Sequence, residues 1–120
     1  MSEPVTIKIN EVEYVRKDSL KKNVQLPKQD GNLAFPYELG KNYFIRTVTH
    51  YFTGTLLWVG PQELLLENTS WIADTGRFST ALKSGSLNEV EPYPEGPVII
   101  GRGSIIDASP WNWGIIMVQK

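Results

Sequence analysis

The chain has no cysteine and a single histidine. The first absence excludes disulfides and thiolate metal sites and leaves the redox compartment open. The second argues against a histidine-based metal centre. No apolar run approaches the roughly 18 residues that a membrane-spanning helix needs, and the first residues do not show the charged-then-apolar layout of a secretion signal. No membrane partner is therefore expected, and the cytoplasm is the default location. The formal net charge is -1, so nothing global draws the chain toward nucleic acid or an acidic membrane.

The 120 residues suffice for one domain, and a hydrophobic share of 41% allows a compact core of limited size. The ten glycines and eight prolines are scattered, as turns between short strands would require. Residues 1–22 read as a hairpin with a helical turn. Val5, Ile7 and Ile9 alternate with polar residues, Asn10-Glu11 suits a two-residue turn, and Val12 and Tyr14 continue the alternation. Two strands alone are marginal in water, so this hairpin must lie on the main body or on another subunit. Residues 23–41 read as an extended connector arm, broken by Pro27, Asp30-Gly31, Pro36 and Gly40. Leu33, Phe35 and Tyr37 punctuate it, which predicts that it lies along a surface.

From residue 42 to the end the pattern predicts a β domain. Tyr43 to Phe52 is rich in β-branched and aromatic residues and reads as one long strand. Thr53-Gly54 marks a bend, Thr55–Val59 a second strand, Gly60-Pro61-Gln62 a turn and Glu63–Trp71 a third strand. Asp74 is placed to cap a short helix over residues 74–84, with Gly85 at its C-terminal end. Residues 86–96 read as a loop. Pro97–Ile100, Ser104–Ala108 and Trp111–Val118 read as the remaining strands, with Gly101-Arg102-Gly103 as a tight turn. Short strands at close spacing predict a mainly β fold, a small and strongly bent barrel of five or six strands with one short helix.

Two resemblances sharpen this. Gly54-Thr-Leu-Leu-Trp-Val-Gly60, Glu63-Leu-Leu-Leu-Glu-Asn68 and Val98-Ile-Ile-Gly-Arg-Gly-Ser-Ile-Ile106 resemble the strand pattern of Sm-like barrels. That likeness covers about half the chain, with a long insertion between its two parts. It implies an SH3/Sm-like barrel and, as an alternative function, a ring that binds RNA or a host protein. Glu13-Tyr-Val-Arg-Lys-Asp18, Ile45-Arg-Thr-Val-Thr49, Trp71-Ile-Ala-Asp-Thr-Gly-Arg-Phe78 and Val98-Ile-Ile-Gly-Arg-Gly103 resemble a family of short proteins from tailed bacteriophages and prophages. That likeness spans most of the chain and implies origin more than chemistry.

Candidate chemistry is sparse. His50 lies in a strand-like stretch with no nucleophile-elbow sequence around any serine. Glu63 and Glu67 would stand about 13 Å apart on one strand face, too far for a paired-carboxylate site. Asp74-Thr75-Gly76 has the letters of the aspartic-protease motif, but capping explains Asp74 with fewer assumptions. Arg77 would then sit in a first helical turn, where a cation is mildly unfavourable. It therefore asks for a carboxylate partner in the acidic loop 89–95 or on a neighbouring subunit. Arg102 reads as part of a tight turn or, on the Sm-like resemblance, as a contact at a ring pore. The basic cluster Arg16, Lys17, Lys21, Lys22 and Lys28 reads as a solvated face. Trp111 and Trp113 would share one face of the last strand with Phe35 and Tyr37 packing beside them, forming core or, if exposed, an interface.

The leading expectation is a non-enzymatic structural or assembly protein of a tailed phage, such as a capsid decoration (cement), tail or neck component. It would sit in the virion or host cytoplasm and act through homo-oligomeric contacts or other phage subunits. Nucleic acid is not favoured, no cofactor is expected, and Phe35, Tyr37, Arg77, Arg102, Trp111 and Trp113 are the interaction candidates.

Overall fold

The computed structural model describes residues 26–120. The expected hairpin and helical turn of residues 1–22, and residues 23–25 of the connector, lie outside the described residues. The described part is mainly β. Six strands form one antiparallel sheet: β1 (Asn42–Thr47), β2 (Tyr51–Val59), β3 (Glu63–Asp74), β4 (Glu89–Pro92), β5 (Val98–Gly101) and β6 (Ile105–Pro110). Their order is β4-β3-β2-β1-β6, and β5 pairs with the other half of β3's free side. Two short helices, α1 (Gly31–Ala34) and α2 (Phe78–Ser84), and a 3-10 turn at Arg102–Ser104 complete the fold.

The stretch Tyr43–Phe52, expected as one strand, is a hairpin. Thr47 closes it: its amide and hydroxyl both donate to the His50 carbonyl, at 2.7 and 2.8 Å, and its hydroxyl accepts from the His50 amide at 2.9 Å. The turn residues have the same β-branched and aromatic character as the strands, so composition does not mark the break. Within β1 the alternation holds and serves two cores. Tyr43 and Ile45 join a cluster with Phe52, Leu56, Val59, Leu64, Leu66 and Ile100, while Phe44 joins Ile72, Ala81, Leu87, Val90 and Trp111.

β3 reaches both cores because it changes face midway. Thr55 pairs with Glu67 but Thr53 pairs with Ser70, which leaves one extra residue on β3. Asn68 supplies the irregularity with φ 47, a left-handed conformation that asparagine tolerates better than most residues. Leu64 and Leu66 therefore face the first core, and Ile72 faces the second. A second bulge gives β2 an extra residue between Leu56 and Trp58, so Leu56 and Val59 are both fully buried. Further shifts occur in the β1–β6 and β3–β4 ladders. Each bulge bends the sheet and adds twist. The 3-10 turn joins β5 to β6, strands that lie on opposite sides of the β1–β3 meander, so the sheet curls around the first core. No ladder joins β5 to β6 among the described residues, and the curled sheet stays open there.

The helix expected over residues 74–84 begins at Phe78. Asp74 is the last residue of β3, paired with Glu89, and is not a helix cap. Its carboxylate accepts from the Gly76 amide at 2.8 Å and so shapes the turn between strand and helix. Arg77 holds the N-cap position without a side-chain bond. At the other end Gly85 closes the helix as its sequence position predicts, with φ 75 and its amide donating to Ala81 at 2.8 Å. The loop expected over 86–96 contains β4. The strand expected over Trp111–Val118 does not form. That segment is an irregular strap, tied by Ser70 Oγ to the Ile116 carbonyl and by paired backbone bonds between Val90 and Lys120 at 3.2 and 3.0 Å.

The described part of the connector is also not uniformly extended. Asp30 accepts from the amides of Asn32 and Leu33 and caps α1. The connector occupies the side of β2 that β1 is too short to cover. Gln29 bonds both backbone groups of Val59 at 2.8 Å, and the Leu56 backbone pairs with Gly40 and Lys41 at 2.7 and 2.9 Å. Ala34 and Tyr37 then pack on the first core.

Candidate interaction surface

The tip of the β1–β2 hairpin carries a surface concavity with exposed apolar side chains on its lining. A hollow of about 340 Å³ is lined by Arg46, Val48, His50, Tyr51, Trp71 and Ile106 among others. Val48 is 74% exposed, Ile106 62% and Trp71 36%. Each projects for a local reason. Val48 sits in the hairpin turn, Ile106 is the extra residue at the β1–β6 shift, and Trp71 follows the Asn68 bulge that reverses the faces of β3. The His50 ring lies 5.7 Å from Trp71 and 6.2 Å from Phe52, and Phe52 lies 6.3 Å from Tyr93. An aromatic row thus crosses the sheet beside the hollow.

The tip is held in place. Besides the Thr47–His50 bonds, Thr49 Oγ1 lies 2.7 Å from His50 Nδ1, and the Val48 amide donates to Ser104 at 3.1 Å. At the rim, Arg46 Nε donates to Asp107 at 2.8 Å, and the Arg46 guanidinium lies 4.7 Å from the centre of the Phe78 ring. The Asp107 hydrogen bond raises the pKa of Arg46, and the bond from Arg46 holds the Asp107 carboxyl below the usual carboxylate range. The rim therefore stays charged across the neutral range.

The residues singled out from sequence are dispersed. Phe35 is 78% exposed beyond α1. Tyr37 is half-buried, edge-on to Tyr43 at 5.5 Å, with the Arg102 guanidinium 5.8 Å from its ring centre. Burial pushes the Tyr37 hydroxyl pKa up, against the opposing effect of the Arg102 charge. Arg102 also donates to the Gly60 carbonyl at 3.0 Å, so its guanidinium serves an internal contact. Arg77 is exposed and forms no salt bridge among the described residues, the acidic residues of 89–95 included. Trp111 and Trp113 are not two indoles on one strand face. Trp111 is buried in the second core, whereas Trp113 is exposed, rests on Gly85 and donates to the Leu82 carbonyl at 3.2 Å. The turn that separates them is closed by Trp111 Nε1 donating to Gly114 at 3.2 Å. Of the basic cluster only Lys28 lies within the described residues, and it is exposed.

The sequence pattern puts Val48 and His50 on one face of a strand, and Trp71 and Ile106 in two other strands, without bringing the four together. Their convergence depends on a turn and two bulges that leave no hydrophobic periodicity of their own. Among the described residues no group of three or more acidic or histidine side chains is placed to hold a metal ion. No family model, curated protein or solved structure matches the chain.

Proposed function

We propose that this chain is a non-enzymatic β scaffold that acts through contacts with other protein subunits, as an accessory component of a tailed-phage virion. A capsid decoration, tail or neck position fits this role, with further copies of the chain or other phage subunits as partners. The carrying observation is the surface formed by Val48, Trp71 and Ile106 around one hollow. Clustered exposed apolar side chains mark contact sites. An indole with a polar rim is the composition of a binding anchor surrounded by groups that exclude water. Burying such a surface contributes roughly 25 cal/mol per Å² of apolar area. The hydrogen-bonded tip is already ordered, so little conformational entropy remains to be lost on docking. The resemblance to short phage and prophage proteins supports the virion setting. The curled sheet, with β5 and β6 joined by a single 3-10 turn, fits the SH3/Sm-like barrel that the strand pattern resembles.

The test is mass spectrometry of purified particles of a phage that encodes the chain. Stoichiometric presence is expected, with loss of incorporation for Val48→Asp. Absence from the particles overturns the virion assignment, and normal incorporation of Val48→Asp overturns the assignment of the surface.

A further inference from the structure

One aromatic side chain stands in solvent although its backbone is tied down. Phe35 is the most exposed large apolar residue among those described, at 78%. Its amide closes α1 on the Gly31 carbonyl at 3.1 Å. The Tyr37 amide donates to the Ala34 carbonyl at 2.7 Å, which closes a turn across Phe35 and Pro36. Ala34 and Tyr37, on either side of that turn, pack on the first core. The exposure of Phe35 is therefore not the fraying of a loose segment. An aromatic ring on an ordered turn loses little conformational entropy on contact, and aromatic rings are frequent binding anchors.

We infer that Phe35 of one copy seats in the Val48–Trp71–Ile106 hollow of the next, so that the chain associates head to tail with itself. This rests on the reading of that hollow as a contact surface and names its partner. Ring and hollow lie toward opposite ends of β1. Val48 follows its last residue, whereas Pro36, next to Phe35, lines a second hollow with Tyr43 and Pro110, which pair near its start. From Tyr43 to Val48 is roughly 15 Å at strand rise, and Phe35 does not line the first hollow of its own copy. A cavity of about 150 Å³ accepts benzene, so the hollow of about 340 Å³ has room for a phenyl ring. There the ring meets Val48 and Ile106 and stands against Trp71 and His50. Charge is matched as well. Lys41 lies 3.7 Å from Glu38 beside Phe35, and Arg46 is paired with Asp107 at the rim of the hollow. Neither pair leaves a lone charge to be desolvated. Brought together, Lys41 can face Asp107 and Glu38 can face Arg46, which gives the contact a preferred rotation. One aromatic side chain buries roughly 150–250 Å², far below the roughly 800 Å² per partner of a standard interface, so a single contact is weak. Because each copy carries both ring and hollow, the contact repeats, closing a ring or extending a filament according to the rotation.

Sedimentation velocity of the full chain over a concentration series tests this. The wild type should grow beyond a dimer as concentration rises into the submillimolar range. Phe35→Ala and Val48→Asp, both at exposed positions, should each raise the apparent dissociation constant on the order of tenfold or more while melting close to the wild type. Ile106→Asp replaces Val48→Asp if the hairpin turn is disturbed. Mixing Phe35→Ala with Val48→Asp is the discriminating arm. One variant keeps the hollow and the other keeps the ring, so the mixture should form a 1:1 dimer and grow no further. A wild type that stays monomeric overturns the inference, as does assembly indifferent to either folded variant. A wild type that stops at a two-fold dimer, or a mixture that stays monomeric, overturns it too. A monomeric wild type whose Val48→Asp variant is still lost from particles gives the hollow to a different phage subunit. Head-to-tail assembly of a chain absent from particles does the reverse, so this inference and the proposed function fail separately.

Discussion

Arg46 and Asp107 face each other across the β1–β6 ladder and bond twice, Nε to Oδ1 at 2.8 Å and Nη2 to Oδ2. The pair fastens the margin strand β6 to its neighbour β1 while Arg46 also lies over Phe78. The hydrogen bond lowers the pKa of Asp107. A carboxylate with a depressed folded-state pKa stabilises the fold above its unfolded pKa and loses that contribution as pH falls through the folded value. The melting temperature should therefore decline on acidification below the usual carboxylate range, and Asp107→Asn should flatten that part of the decline. Both groups are in contact with solvent, so the effect is small and weakens with added salt. Calorimetric melts of the two proteins against pH check it, and superimposable profiles would sink the assignment.

Gly85 is needed for two independent reasons. Its φ of 75 disfavours any residue with a Cβ, and an added Cβ would stand 2.5 Å from Cγ of Trp113. Gly85→Ala should cost roughly 2 kcal/mol, combining left-handed strain with displacement of the indole. Urea unfolding measures the loss, and a change in tryptophan emission in the folded variant reports the displacement.

The Asp30 cap controls how the connector enters the first core. Asp30→Ala removes the acceptor for two amides of a one-turn helix. The expected loss is about 1 kcal/mol. Chemical shifts of Ala34 should move with it, whereas those of Ala81 in α2 should not.

Thr53 is fully buried, and its hydroxyl has no hydrogen-bond partner among the described residues. An unsatisfied buried hydroxyl costs about 1–3 kcal/mol. Valine has nearly the same shape and β-branched propensity. Thr53→Val should hold or raise stability, by up to about 1 kcal/mol. A clear loss of stability in urea titration would show that the hydroxyl is satisfied.

Trp71 separates folding from contact. It lies between the hairpin tip and the outer face of β3, with part of its ring in solvent. Trp71→Ala should therefore cost less than the ~3–5 kcal/mol of a core Trp→Ala change and remain folded, yet be lost from assembled particles. Normal incorporation of the folded variant would argue against an anchor role.

Several features were legible in the sequence because short-range chemistry dictates them. The two-residue period of Tyr43–Thr47, the run Glu63–Leu66, the Gly60-Pro61-Gln62 turn and the helix-ending Gly85 all mark elements that the structure contains. The mainly β class follows from them. Boundaries were less legible where strand and turn share a composition, as at Val48-Thr49-His50. They also failed where one residue had two plausible roles. Asp74 has the chemistry of a helix cap, but its ladder partner Glu89 keeps it in β3 and delays the helix.

Position in space was decided by tertiary structure alone. A bulge is one extra residue opposite a partner strand, so it exists only once the pairing exists. The Asn68 bulge determines that Leu66 and Ile72 serve different cores, and that Trp71 points toward the hairpin tip. The same holds for Trp111 and Trp113, which a strand period would place together and an irregular turn drives apart. The sequence by itself determined the chemistry of the elements and most of their number. Only the assembled sheet, through its register shifts and its two unequal faces, decided which side chains became core and which became a surface for contact.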